Sequence, residues 1–166
     1  ISTPMRDRFG AIFRLDFYQK NEIFKILKRT ASILEVNVKD DALIEIAGRS
    51  RGTPRIANRV LKRVRDFAQV KNVKEIKLED ARSSLDSIGI DENGLENMDR
   101  KILKNLIVNY NGGPTGGKSL AISINEDIQT IEDVYEPYLI KEGFIERTSR
   151  GRIATDKAYA LFDLKK

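Results

Sequence analysis

Apolar residues recur at three- and four-residue spacing along most of this chain, in short blocks closed by turn residues. That period restricts it to short helices that bury one face each. From Lys20 to Leu34 the buried face is Ile23, Phe24, Ile26, Leu27, Ala31 and Leu34. Asp40 or Asp41 can cap a second helix through Ala42, Leu43, Ile46 and Ala47. A third begins at Gly52-Thr53-Pro54-Arg55, with Thr53 suited to the N-cap and Pro54 to the first helical position. Its buried stripe is Ile56, Val60, Val64 and Phe67. Residues 79–88 make a short fourth helix with Ala81, Leu85 and Ile88 inward. These helices predict a small bundle.

Gly89 to Asn97 is a polar break with turn chemistry, and it divides the chain. Beyond it, a helix over Met98–Tyr110 leads into the glycine-rich loop Asn111–Gly117. Ser119 can cap a short helix through Leu120 and Ala121, and Thr130 opens another that stops at Gly143. Phe144–Thr148 and Arg152–Thr155, joined by Ser149-Arg150-Gly151, alternate as a hairpin. Three helices followed by a two-stranded wing is the winged variant of helix-turn-helix. The expected fold class is mainly α: a helical bundle, then a winged helix. Residues 1–17, with Phe9, Ile12, Phe13, Leu15 and Phe17, read instead as a partly alternating piece that needs a sheet to join.

Composition narrows the function. The chain has no histidine and no cysteine, which removes the usual imidazole base and the common zinc ligands. The absence of cysteine also fits a reducing cytoplasm. No window is apolar and long enough for a membrane span. The net charge of +5 is uneven: residues 1–91 carry 19 Lys/Arg against 13 Asp/Glu, and residues 92–166 carry 11 against 12. A modest basic excess suits nucleic acid or phosphate. Because Ile1 is not a natural start residue, the chain reads as a piece of a larger protein.

Three features carry candidate chemistry. Arg55 lies in the first turn of the third helix, where a cation opposes the helix dipole unless an anion joins it, and open N–H groups favour phosphate. An ordinary solvated arginine is the competing account. Arg147, Arg150 and Arg152 crowd the hairpin, whereas the helix before it carries Glu132, Asp133 and Glu136, which a groove lined with phosphates would repel. DNA contact is therefore expected through the wing and to the backbone, without base readout; a winged domain used for protein docking is the alternative. Gly112-Gly113-Pro114-Thr115-Gly116-Gly117-Lys118-Ser119 satisfies the Walker A pattern letter for letter. A P-loop needs an entering strand and a parallel sheet, and here a helix enters. The match is expected to be accidental, leaving a small P-loop kinase a remote reading.

Taken together, PMRDRFG (Pro4–Gly10), LDFY (Leu15–Tyr18), RSRGTPRIANRVLKRVRD (Arg49–Asp66), MDRK (Met98–Lys101), TIEDVYEPYLIKEG (Thr130–Gly143) and FIERTSRGRIAT (Phe144–Thr155) resemble the C-terminal half of the RuvB family. These are bacterial Holliday junction branch-migration helicases of the AAA+ class. The resemblance implies residues 1–17 as the tail of a large ATPase domain, 18–91 as its helical lid and 92–166 as a winged DNA-binding domain. It implies Arg55 as the sensor arginine for ATP phosphates, Tyr18 as a tyrosine lining the nucleotide pocket, and Arg8 (Arg6 the less favoured choice) as a catalytic, ATP-contacting arginine at the subunit interface. Arg147 and Arg152, with Arg150 beside them, become wing arginines that hold DNA. It further implies ATP with Mg, a homo-hexamer, and duplex DNA or a Holliday junction, RuvA and RuvC as partners. The phosphate and magnesium cradle and the RuvA-docking hairpin would precede Ile1, so the fragment alone is expected not to hydrolyse ATP. A stand-alone winged-helix regulator with a helical dimerisation domain is the alternative.

Overall fold

The computed structural model describes residues 16–165. The chain divides between Leu78 and Glu79 into two compact units. In the first, α1 (Lys20–Ile33), α2 (Asp40–Gly48) and α3 (Pro54–Val70) pack on one another. Their apolar positions follow the helical period: Ile23, Leu27 and Ala31 on α1, and Ala57, Val60, Leu61, Val64 and Ala68 on α3, are buried. Ala42, Leu43, Ile46 and Ala47 complete the core from α2. Each fully buried Leu or Ile contributes about 1.5–3 kcal/mol of transfer free energy, so this stripe holds the bundle together. The segments leading into α2 and out of α3 are tied by a parallel bridge, in which the Lys39 amide donates to the Ile76 carbonyl at 2.9 Å and the Ile76 amide to the Asn37 carbonyl at 2.9 Å.

α4 (Leu78–Ser87) buries Ala81, Ser84 and Leu85. The expected break at Gly89–Asn97 is a tied turn. Asp91 accepts from the amides of Asn93 (2.9 Å) and Leu95 (2.8 Å) and pairs with Arg100 at 2.8 Å. α5 (Asn97–Tyr110), α6 (Gly117–Ile124) and a third helix follow. That third helix has three parts, α7 (Ile128–Thr130), a π-helical turn (Ile131–Tyr135) and α8 (Glu136–Lys141). It begins two residues before the Thr130 expected from sequence, because Asp127 caps it: the Asp127 carboxylate accepts from the Thr130 amide at 3.0 Å. Likewise α6 starts at Gly117 after an N-cap at Gly116, and Ser119 lies inside it. Pro137 explains the π turn, since it has no N–H to donate backward and its ring displaces the carbonyl one turn earlier.

β1 (Ile145–Thr148) and β2 (Gly151–Ala154) pair antiparallel, with Arg147 directly opposite Arg152, and α9 (Asp156–Ala160) closes the unit. The core is Leu95, Ile102, Leu103, Leu106, Leu120, Ile124, Ile131, Leu139, Phe144 and their neighbours. A third edge, not expected from sequence, lies beside β2. The Thr115 amide donates to the Arg152 carbonyl (3.0 Å) and the Arg152 amide to the Thr115 carbonyl (2.9 Å). The Walker-like loop thus becomes part of the wing. A Cβ at Gly113 would collide with the Arg152 carbonyl, at Gly112 with the Tyr159 hydroxyl, and at Gly117 with the Arg152 guanidinium. Close packing against β2 and α9 accounts for these glycines. Lys118 is exposed, and the element entering the loop is α5, a helix. The loop therefore lacks the strand and sheet that phosphate cradling needs.

Candidate functional site

The first candidate lies at the start of α3. Arg51 (φ 58°) and Gly52 (φ 66°) are both left-handed, which turns the chain sharply into the extended Thr53 and then the helix. The first intrahelical bond runs from the Ala57 amide to the Thr53 carbonyl at 2.9 Å, so the Arg55 and Ile56 amides precede it. Thr53 makes no side-chain cap bond, and no acidic residue occupies the first turn. The positive end of the helix is left available to an anion, and the exposed Arg55 adds a full charge. Tyr18 reaches the same place. Its amide donates to the Gly52 carbonyl at 2.9 Å, and Asp16, Phe17, Tyr18, Gly52, Thr53 and Pro54 line a shallow concavity. Tyr18 is 47% exposed, a large aromatic offered to solvent beside that helix end. The structure brings Tyr18 and the start of α3 together, whereas Arg6 and Arg8 lie outside the described residues.

The second candidate is the wing, and its three arginines are not alike. Arg150 occupies the tip and is exposed, with no side-chain ion pair among the described residues. Arg147 is also largely exposed, with Nη2 3.5 Å from Glu132 and Nη1 3.6 Å from Glu136. Arg152 departs from the expectation of a phosphate contact, being 6% exposed. Its Nε donates to Glu136 Oε1, and its Nη2 donates to Glu132 Oε1 and, at 3.1 Å, to Glu136 Oε2. The hydrogen bond to Glu136 holds the guanidinium pKa above its ordinary value, with Glu132 acting the same way and desolvation opposing both. Breaking a buried pair of this kind by removing one partner costs about 3–5 kcal/mol. Of the three carboxylates expected to repel phosphate, Glu132 and Glu136 are paired with arginines within the protein, whereas Asp133 is exposed and accepts from the Gln129 side-chain amide at 2.9 Å. A residue-by-residue reading of charge missed this, although Glu132 and Glu136 share one helical face at i,i+4 spacing.

The chain thus carries a helical unit whose third helix opens without a side-chain cap beside an exposed arginine, followed by a winged helix with arginines on its wing. The family model of the RuvB AAA lid domain matches residues 18–91, and that of the RuvB C-terminal winged helix domain matches residues 92–163. The Holliday junction branch migration complex subunit RuvB of Fusobacterium nucleatum is 51% identical over 98% of this chain and 49% of its own length. That of Oleidesulfovibrio alaskensis is 53% identical over 99% of this chain and 51% of its own. The solved Thermotoga maritima RuvB Holliday junction branch migration motor superposes with a TM-score of 0.96 at 46% identity, over 100% of this chain and 56% of that one. The chain belongs to the RuvB family, and it spans about half the length of the curated relatives it matches.

Proposed function

We propose that this chain is the C-terminal part of an ATP-dependent motor that drives Holliday junction branch migration in DNA recombination and repair. The observation that carries the reading is the joint likeness of both halves, in order, to the RuvB lid and winged-helix domains. In this reading residues 18–91 are the lid, 92–166 the DNA-binding domain, and 1–17 the tail of the ATPase domain. ATP with Mg²⁺ binds between that ATPase domain and the lid. The first-turn amides of α3, Arg55 and Tyr18 fit a nucleotide phosphate and its base, whereas the metal's ligands are assigned to the ATPase domain. Arg55 couples the phosphate state to the lid, and Arg8 is the catalytic arginine at the interface of a homo-hexamer. RuvA and RuvC are the proposed protein partners, and the cytoplasm the proposed compartment. Arg147 and Arg150 contact the duplex backbone directly. Arg152, grouped with them on sequence, takes the part of anchor because it is buried and its Nε and Nη2 are already committed to Glu136 and Glu132.

Binding of the 166-residue chain to fluorescently labelled duplexes of unrelated sequence tests the DNA half of this reading. Affinities should agree across sequences and weaken with salt. Arg150→Ala should weaken binding to all of them alike and lower the salt slope by about 0.9, the worth of one phosphate. Marked preference for one sequence would favour a winged-helix regulator instead.

A further inference from the structure

We propose that Glu136 is a positioning residue for DNA contact: from the third helix of the winged unit it fixes Arg152 in the wing and orients Arg147 toward the duplex. The inference rests on reading the wing as a holder of DNA backbone. Arg147 and Arg152 stand directly opposite each other across the hairpin, a placement in which two like charges repel. Arg152 is moreover buried, where an arginine requires a counter-charge. Glu136 meets both needs. It is 2% exposed, binds Arg152 through both of its oxygens, and lies 3.6 Å from Arg147 Nη1. Glu132 adds the second negative charge, which makes the four-residue cluster neutral.

The remaining side of the Arg152 guanidinium lies against Gly117, where a Cβ would collide with Nη1, and its backbone is bonded to Thr115. Arg152 is thus fixed by its Nε and Nη2 bonds and by its backbone, and β2 is held with it. Arg147 is the outer member, exposed yet tethered by two carboxylates at its Nη atoms. A long side chain ordered before binding loses less freedom when it meets a phosphate. Glu132 and Glu136 thus serve the wing by arranging its cations.

Two physical effects of Glu136→Gln have opposite signs, and this makes the test decisive. Removing a negative charge beside the DNA face tightens binding by long-range electrostatics. Losing the tether on Arg147 and Arg152 weakens it. Duplex affinity of the 166-residue chain should fall roughly threefold to tenfold, with the magnitude of the salt slope reduced by about 0.9. The measurement is made well below the variant's unfolding midpoint, with circular dichroism confirming the fold. Unchanged or tighter binding overturns the proposal, including when the midpoint drops, because that outcome leaves Glu136 with a structural part alone. Should Glu136→Gln not fold, Glu132→Gln decides. It is partly exposed and touches the same two arginines, and weaker binding supports the proposal where equal or tighter binding overturns it. Arg150→Ala separates this from failure of the underlying reading. If Arg150→Ala weakens binding and Glu136→Gln does not, only the positioning role falls; if neither does, the wing reading falls with it.

Discussion

Arg152 and Gly113 illustrate how far a residue's meaning depends on what it touches. By type and neighbourhood Arg152 is one of three hairpin arginines, but β2 turns it inward onto Glu136 while Arg150 remains at the tip. Gly113 belongs to a letter-perfect phosphate-loop pattern, yet it is glycine because the Arg152 carbonyl leaves no room for a Cβ and because its φ is 93°. Gly113→Ala should therefore destabilise the chain by about 2 kcal/mol or more, read as a lower urea unfolding midpoint. An unchanged midpoint would contradict this account of Gly113.

Helices end where a particular hydrogen bond ends them, and caps are where the elements depart most from expectation. Thr53 has the right residue type and backbone for an N-cap but makes no side-chain bond, whereas Asp127, not selected on sequence, accepts the Thr130 amide. Asp127→Ala should cost about 1 kcal/mol in urea unfolding, and Thr53→Ala less than about 0.5 kcal/mol. Equal costs would contradict the assignment of the two helix starts. The open cap at Thr53 is also what leaves the α3 amides available for an anion. The helix periods and the hairpin were legible from residue spacing alone. The third edge at Thr115 was not, because a single bridging residue has no period to display.

Across the whole chain, one unit carries the open helix start proposed for phosphate and the other carries the wing, and the two proposed tasks should separate by mutation. Arg55→Ala, in a full-length context that supplies the ATPase domain, should lower ATP turnover by about tenfold or more. The same substitution in the 166-residue chain should leave duplex affinity unchanged, as read by anisotropy. A loss of DNA binding there would tie Arg55 to the wing's task and overturn the division of labour. Residue order was enough to establish the mainly helical class, the hairpin, the basic bias of the first half and the family, because periodicity, turn chemistry and motif combinations are local properties of a chain. Tertiary structure alone decided which arginine faces solvent, which carboxylates are spent as counter-ions, and why the glycines of the Walker-like loop are glycines. Those outcomes depend on contacts between residues far apart in sequence: Arg152 with Glu136 and Thr115, and Tyr18 with Gly52. Burial turns the same charge from a solvated surface group into one that must find a partner within the fold.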